Sequence, residues 1–537
     1  MKDVLRTIPG VLLVVVFLMP SVQGQMATWD EALTVAENWT VRVIQNKGNW
    51  GSSDWAQVVD IREFKRGERI IGYFCKVEPT GFIVVSLRKE LAPIKAYSTE
   101  SDLDPESDEG MADLLKMKME GILDAIEEPI RLYGVDAVPY VQVLLEIDYR
   151  PAWDQLCGQA QVFSENLQSD PHPMNYQEGR VLLTSSWHQG PPYNSFCPVG
   201  DTTCILGRDR TVVGCVATAA AQIMKYWNWP PSGIGSHQYF WDGDDSCKEG
   251  GTPGAGAQWL SATFSDDYDW LNMPDRLTAD SAQAKIEAVA ELCYELGVAI
   301  EMDYGVKGSG IHFDGLNMVR NSYIETFHFS SELGWLQRFI PGRNPESISP
   351  EQWFAFIKMQ IDSNWPIQYF IPGHSVVVDG WQEDFAGKKY HMNYGWDDWV
   401  DPYDPNWSGI KNSNTWYTLD ALPGSSPKAE FLLGNIYPAQ ALGALLAGNS
   451  TYPKESFNCR YFDHDVTGTN VSFAAGQNLQ FLPGVSVACI GGYIRFEGAS
   501  FDNTRLFSIK SMNKAEIKIG NGGLKLYPGG SIRFYQN

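Results

Sequence analysis

The sequence predicts an α+β protein in which a signal at residues 1–24 precedes three folded regions, at 25–178, 179–440 and 441–537. Two patterns in the middle region support the mixed class. Apolar residues recur with helical spacing from Val216 to Trp227, and strand-like apolar runs begin at His374 and Tyr390. Beyond about residue 441, short strand-like runs alternate with Gly and Asn turns, which predicts a small all-β region.

Residues 1–24 have the composition of a secretory signal. Lys2 and Arg6 form a basic start, residues 8–19 are apolar, and Gly24 ends a stretch suited to cleavage. The apolar run is too short for a membrane-spanning helix, although an uncleaved anchor is the alternative. No later segment has the roughly 18 uncharged apolar residues of a membrane span. We therefore expect a secreted, extracellular protein.

The charge balance excludes one broad class of partner. The chain has 41 basic and 65 acidic residues and a formal net charge of −24. A general nucleic-acid binder is not expected, because binding to phosphates requires basic patches.

Cys-x-x-Cys and His-Glu-x-x-His zinc spacings are absent, so no metal or other cofactor is predicted. The acidic residues 397–404 could bind calcium, but they lack EF-hand spacing and their prolines favour a surface turn.

The first folded region, residues 25–178, combines helices with strands. Helices are predicted at 29–45 and 110–132, and alternating patterns at 56–77 and 81–86 predict strands. Residues 164–178 are rich in Ser, Asp, Asn, Pro and Gln. Such a composition indicates a flexible joint that proteases can reach.

Cys215 is the candidate nucleophile. It begins the predicted helix that ends before Pro230, and the unpaired N–H groups of a helix N-terminus favour a thiolate. A small buried residue or half of a disulfide are the alternatives. The chain has nine cysteines, so at least one thiol is free if the others pair. Cys197 and Cys204 are close enough in sequence to bridge a loop, but the pairing cannot be derived from the sequence.

His374 is the candidate base, since it opens an apolar strand in a chain with eight histidines. A structural histidine in a core strand is the alternative. A second strand, containing Asn393, follows after a predicted hairpin at 383–388. Antiparallel pairing could bring Asn393 beside His374. An amide oxygen would then hold one ring nitrogen and leave the other for the thiol.

Five separated motifs resemble the streptopain family of secreted cysteine peptidases, whose fold is papain-like. The motifs lie at 187–194, 214–226, 297–305, 373–380 and 390–396. The resemblance implies that Cys215 is the nucleophile, His374 the base and Gln189 a side-chain donor to the oxyanion, with Asn393 near the histidine. It also implies substrate contacts around Gly373, Trp396, Gly308 and Ser309. The chain departs from the family in having Tyr394 before Gly395-Trp396, and Asp397-Asp398 after them.

The first region is similar to the inhibitory propeptide of the same family. The similarity lies near residues 36–39 and at 81–86 and 94–98. It implies a zymogen whose α+β prodomain covers the cleft until it is cut. A permanent accessory domain is the alternative.

The last region contains a short repeat, in which residues 479–487 are similar to 524–532. Repeated strand-turn units suggest a small β domain or a solenoid. Its role could be surface attachment, sorting, carbohydrate contact or stabilisation alone. Retention of the protein at the cell surface through this region is one consequence of the first of these roles.

The sequence thus predicts a secreted, self-inhibited cysteine-type endopeptidase that acts on proteins or peptides and needs no cofactor. Two other functions remain open. A transglutaminase-like acyl transferase would pair the histidine with an aspartate, for which Asp379 is the nearby candidate. An inert binding or adhesive protein would use the β region as its working part. The oligomeric state is not determined by the sequence.

Overall fold

The computed structural model describes residues 26–438 with gaps, and the backbone of the strands between 449 and 535. The gaps are 109, 134–148, 170–175, 205–208, 231, 248–253, 279, 313–314, 338–347, 372, 397–414 and 419–430. The predicted signal at 1–24 and the acidic residues 397–404 lie outside the described residues. The α+β class is confirmed, since the first two regions combine runs of helices with strands of an antiparallel sheet.

The first region contains four described helices and five strands. The helices are α1 (Trp29–Lys47), α2 (Gly110–Tyr133), α3 (Arg150–Leu156) and α4 (Ala160–Ser169). The strands are β1 (Gln57–Arg66), β2 (Arg69–Glu78), β3 (Phe82–Ser86), β4 (Ile94–Ser98) and β5 (Gln177–Glu178). Helix α1 begins where predicted because Thr28 and Glu31 form a capping box, and it ends at Gly48, whose φ is +81°.

The middle region contains the elements that carry the candidate catalytic residues. Its helices are α5 (Cys215–Trp227), α6 (Gln283–Ala299), α7 (Gly315–Asn321) and α8 (Pro350–Asp362). Its strands are β6 (Ser236–Trp241), β7 (Gln258–Thr263), β8 (Gly334–Gln337), β9 (Ile367–Ile371), β10 (His374–Asp384), β11 (Gly387–Asn393), β12 (Thr415–Thr418) and β13 (Phe431–Gly434). The predicted helix at Cys215 and the predicted hairpin after residue 383 are both present.

One antiparallel sheet runs through both regions. Its strand order is β1-β2-β3-β4-β12-β11-β10-β9-β13-β8, and β5 pairs with β10. The regions join where β4 meets β12, with Tyr97 paired to Trp416 and Ala96 paired to Tyr417. The first region therefore extends the sheet that carries His374, because each region offers the other an open strand edge.

Buried side-chain contacts reinforce this junction. Arg42 of α1 forms an ion pair with Asp384 at the end of β10, and both side chains are fully buried. Nearby, the Gln382 amide donates to the Tyr97 hydroxyl over 2.7 Å. The contact between the two regions is thus both a strand pairing and a buried polar cluster.

The expected flexible joint at 164–178 is only partly free of regular structure. Helix α4 extends to Ser169, and β5 pairs with Gln382 and Glu383 of β10. After β5, the N–H of Gly179 donates to Trp381 O over 2.8 Å and that of Leu182 to Asp379 O over 2.9 Å. Residues 170–175 lie outside the described part, so the joint remains a prediction there.

The last region consists of parallel strands. They are β14 (Asn449–Tyr452), β15 (Cys459–Phe462), β16 (Val466–Phe473), β17 (Asn478–Phe481), β18 (Ser486–Phe496), β19 (Ser500–Phe501), β20 (Phe507–Met512), β21 (Glu516–Ile519) and β22 (Ile532–Tyr535). Asn449 pairs with Asn470, Val466 with Val487 and Ser486 with Ser508, which are steps of 21 or 22 residues, and Phe507 pairs with Ile532 in a longer step of 25 residues. This regular parallel stacking is that of a β-solenoid.

One disulfide is present among the described cysteines, between Cys204 and Cys247. The bridge between Cys197 and Cys204 that the spacing allowed is therefore not formed, and Cys197 is a buried free thiol. Cys215 is also free, as a nucleophile requires. Among the described helices, none is long and apolar enough to cross a membrane.

Candidate active site

Gly214 determines how the chain enters the helix that begins at Cys215. Its φ is +89°, a conformation that L side chains rarely adopt. A Cβ atom at this position would lie 2.8 Å from the Met302 sulfur and 3.1 Å from Ser309 Cβ. The positive φ therefore favours glycine, and any side chain here would also displace Met302. Helix α5 then packs against β10, so Cys215 comes next to the strand that begins with His374.

The Cys215 thiol is half-buried at the N-terminus of α5. The backbone N–H groups of Ser375 and Val216 and its own N–H donate to the sulfur and favour the thiolate, but burial raises the pKa of the thiol above its ordinary value. The N–H groups at the helix N-terminus therefore act in the expected direction, but the net pKa of the thiol is raised rather than lowered. Desolvation outweighs the favourable backbone dipoles.

The His374 ring is held by a main-chain oxygen. Its Nε2 atom lies 2.8 Å from the carbonyl oxygen of Tyr394. Since a carbonyl can only accept, Nε2 carries the hydrogen and Nδ1 has a free lone pair. The Trp396 ring stacks on the imidazole with 3.9 Å between centroids. Burial lowers the pKa of His374 to about 4, although the bond to Tyr394 opposes that change.

Asn393 does not hold the histidine in the way the sequence suggested. It lies at the end of β11 and pairs with Val377, three residues beyond His374, so the two side chains leave opposite faces of the sheet. Its Nδ2 atom donates to Ser185 O over 2.8 Å and to Gln222 Oε1 over 2.9 Å. The orienting role predicted for the Asn393 side chain falls instead to the carbonyl of the following residue.

Gln222 was not selected from the sequence, yet it lies at the centre of the site's polar network. It is fully buried on α5, seven residues after Cys215. Its Oε1 atom also accepts from the Trp187 N–H over 3.0 Å and from the Ser185 hydroxyl over 3.1 Å. The available signal was a lone amide among the alanines of a buried helix.

The structure brings the segment containing Gln189 to the start of α5. The carbonyl oxygen of Gln189 accepts from the Val213 N–H over 3.0 Å, two residues before Cys215. The donor role of Gln189 remains a prediction.

The residues expected to contact substrate are placed unequally. The Ser309 hydroxyl donates to Val212 O over 2.6 Å and accepts from the Gly305 N–H over 3.0 Å, so it braces the chain before Cys215. Gly308 has open space around its Cα. Gly373 is exposed with a φ of +75° directly before His374. Gly373 and Trp396 thus flank the histidine, whereas Ser309 lies behind the cysteine loop.

Asp379 does not partner His374. Its Oδ1 atom lies 2.6 Å from His391 Nδ1, and its Oδ2 atom accepts from the Leu183 N–H over 3.0 Å. Asp379 and His391 are both buried. The geometry therefore does not favour the Cys-His-Asp set that a transglutaminase-like enzyme would need.

The described residues contain one group of three carboxylates close enough to bind a cation: Asp266, Glu291 and Glu295. Burial raises the pKa of Glu295 to about 8, and the Tyr268 hydroxyl donates to it over 2.5 Å. This group lies outside the network that connects Cys215 and His374.

Comparison with known proteins assigns similarity to two parts of the chain. Residues 187–403 match the Peptidase C10 family and residues 24–122 match the Spi protease inhibitor family. The thiol protease/hemagglutinin PrtT of Porphyromonas gingivalis is 24% identical over 437 residues, which cover 79% of this chain and 42% of that protein. Streptopain of Streptococcus pyogenes is 25% identical over 338 residues, covering 60% of this chain and 71% of streptopain.

A solved fragment of prointerpain A from Prevotella intermedia is similar in structure, with a TM-score of 0.47 and 22% sequence identity. The match covers 70% of this chain and 98% of the fragment. This chain spans less than half the length of PrtT.

Proposed function

We propose that this chain is made as a zymogen and secreted as an endopeptidase. It is a streptopain-type cysteine peptidase of the Peptidase C10 family and carries a Spi-type inhibitory propeptide. The observation that carries the activity is the placement of Cys215 and His374. The Ser375 N–H contacts the sulfur, and the neighbouring imidazole has its hydrogen fixed on Nε2 by Tyr394. Nδ1 is therefore the nitrogen available to the thiol.

The reaction follows from this arrangement. As Sγ attacks the peptide carbonyl carbon, the thiol proton passes to His374 Nδ1, and the oxyanion accepts from the Cys215 N–H and the Gln189 amide. Collapse of the adduct breaks the C–N bond, and Nδ1–H protonates the leaving amine. Water then attacks the thioester, giving up its proton through His374, and releases the acid and the free thiol. No metal or other cofactor enters these steps.

The resting form is a neutral pair. Burial raises the pKa of Cys215 and lowers that of His374, so both groups are uncharged at neutral pH in the structure described. We infer that this is the state of the zymogen. Substrate entry after removal of the propeptide would replace the buried surroundings of the pair with the polar groups of a peptide.

The inhibitory region is proposed to act while attached through the shared sheet. Strand β4 adds to β12, which is two strands from β10, and Arg42 pairs with Asp384 of β10 itself. Strand addition supplies affinity through main-chain hydrogen bonds. Export would depend on the signal at residues 1–24. The proposed role of the solenoid is attachment to a surface.

The proposal is tested by the selectivity of thiol labelling. After activation, the chain is treated with an epoxide-type thiol reagent and the modified cysteines are identified by mass spectrometry. Cys293, which is also free and remains in the chain after the first region is removed, is the internal control. We expect rapid modification of Cys215 that is lost in His374→Ala, and slow modification of Cys293. Equal rates at both positions in the wild-type chain would oppose the proposal.

A further inference from the structure

Gln222 and Asn393 form a cyclic pair of side-chain amides. Gln222 Nε2 donates to Asn393 Oδ1 over 3.2 Å, while Asn393 Nδ2 donates to Gln222 Oε1 over 2.9 Å. Both residues are buried, with 0% and 2% of their surfaces exposed. The pair links helix α5, which carries Cys215, to strand β11, whose end leads to Tyr394. Because residues seven apart share a helix face, Gln222 lies two turns below Cys215 on the same side of α5.

The pair also shapes the turn that holds the histidine. Asn393 Oδ1 accepts from the Gly395 N–H over 3.0 Å, which closes the chain around Tyr394. The φ of Gly395 is +68°, a value that glycine adopts readily. The Tyr394 carbonyl, between these two residues, accepts from His374 Nε2. The orientation of this carbonyl, and with it that of the imidazole, depends on where Asn393 is fixed.

A third segment meets at the same amide. Gln222 Oε1 accepts from the Trp187 N–H and the Ser185 hydroxyl, and Asn393 Nδ2 donates to the Ser185 carbonyl. This segment continues to Gln189. Gln222 thus lies on the helix that supplies the nucleophile and bonds to two further segments. One leads to Tyr394, which holds the base, and the other leads to Gln189, the expected oxyanion donor.

We propose that Gln222 is a positioning residue of the peptidase reaction, which sets the relative placement of Cys215 and His374 through Asn393 and the Tyr394 carbonyl. The inference rests on the proposed peptidase function and goes beyond it by naming what holds the pair together. Gln222 does not touch the reacting atoms. Its loss should lower the rate of the chemical step more than the affinity for substrate.

The chain contains a matched control for a purely structural role. Gln360 of α8 is also fully buried, and its Nε2 atom donates to Asn435 Oδ1 over 2.8 Å. The Asn435 N–H donates to Gln360 Oε1 over 2.7 Å. This glutamine likewise ties a helix to an asparagine that follows a strand, but its side chain bonds to Met359 and Asn435 and not to the segments that Gln222 holds. Removing either amide should lower stability, whereas only Gln222 should affect catalysis.

The test compares Gln222→Met with Gln360→Met, beside wild type and Cys215→Ala, after each full chain has been cut with the same added protease and that protease has been removed. Melting temperature, kcat and KM for a peptide substrate are measured, together with the pH dependence of iodoacetamide alkylation at Cys215. We expect Gln222→Met to lose about 30-fold or more in kcat with KM within threefold of wild type, and to alter the alkylation profile. Gln360→Met should keep kcat within threefold despite a similar drop in melting temperature.

Gln222→Glu keeps the inference testable if the methionine variant does not fold. An ionised Glu still accepts from Trp187 and Asn393 but repels Asn393 Oδ1, whereas a protonated Glu restores the lost donor. Its kcat relative to wild type should therefore rise as the pH falls. A kcat ratio near one at every pH, or an equal loss in Gln360→Met, would overturn the positioning role.

Failure of the proposed function would look different. If wild type shows no cleavage that depends on Cys215, the peptidase claim fails. The alkylation profiles of the same variants still report whether Gln222 controls the environment of Cys215, and unchanged profiles would overturn the inference on its own.

Discussion

The Nε2 atom of His374 donates to the carbonyl oxygen of Tyr394 over 2.8 Å. The imidazole is therefore oriented by a main-chain group directly after β11 and not by a side chain. The Trp396 ring stacks on the imidazole, with 3.9 Å between centroids. Burial keeps the histidine neutral, although the bond to Tyr394 opposes this. The pKa of His374 can therefore be used to test this arrangement.

Stability should fall when the pH is lowered through the titration range of His374. Burial lowers its pKa to about 4, against about 6.5 in an unfolded chain, so the folded state binds fewer protons in this interval. The contribution is complete above pH 6.5 and is lost as the pH falls towards 4. Between pH 7 and pH 4.5 it amounts to about 2 kcal/mol. Urea unfolding should show a larger loss for wild type than for His374→Gln, and equal losses would contradict the assignment.

Gly214→Ala should disturb the start of the cysteine helix. The added Cβ meets Met302 and Ser309 and must accept a φ of +89°, which costs about 1–3 kcal/mol. We expect a lower melting temperature and a strong loss of activity, because Cys215 is the next residue. Gly334→Ala, at the start of β8, is the control, since the added atom meets only the Glu332 carbonyl oxygen, at an ordinary contact distance of 3.7 Å. If both variants behaved alike, the strain argument would fail.

Gln189→Ala should slow the chemical step if this amide supports the oxyanion. Removal of one such donor lowers kcat by about 100- to 1000-fold in comparable sites. Steady-state kinetics on a peptide substrate should show this loss with little change in KM, while Cys215→Ala loses nearly all activity. Gln238→Ala, at an exposed position of β6, should leave kcat unchanged. A kcat near wild type in Gln189→Ala would remove this residue from the mechanism.

Arg42→Met should loosen the inhibitory region. It leaves Asp384 buried without its partner, and breaking a buried ion pair in this way costs about 3–5 kcal/mol. Hydrogen exchange on full-length Cys215→Ala should show faster exchange in β4 and β12 when Arg42 is also replaced. Arg62→Met removes an exposed pair with Asp60 in the same region and should change little. Equal protection in the two variants would mean that the buried pair does not hold the regions together.

The sequence predicted the elements that carry the site better than the contacts between them. The helix at Cys215 and the strand at His374 follow from local periodicity and from nearby proline and glycine. The holder of His374 could not be predicted, because a main-chain carbonyl has no residue-specific signal. The orienting role predicted for Asn393 was wrong. Asn393 pairs with Val377, which is three residues beyond His374, and side chains alternate between faces along a strand, so Asn393 and His374 project from opposite faces of the sheet.

Long-range contacts were also beyond the sequence. Tyr97 and Trp416 pair across more than 300 residues, and nothing local marks either strand as the edge that receives the other. Cys204 bonds to Cys247 rather than to its near neighbour Cys197, because chain folding and not spacing brings thiols together. The role of Gln222 could not be predicted for the same reason, since its partners Trp187 and Asn393 lie on two distant segments of the chain.

The most direct test of the central claim is cleavage of casein by residues 25–537 under reducing conditions, with and without an epoxide-type thiol reagent, beside Cys215→Ala. The account predicts self-shortening between residues 164 and 185 and casein cleavage, both blocked by the reagent and by the substitution. A full-length chain that stays intact and leaves casein uncut, even after residues 25–178 are removed genetically, would contradict it.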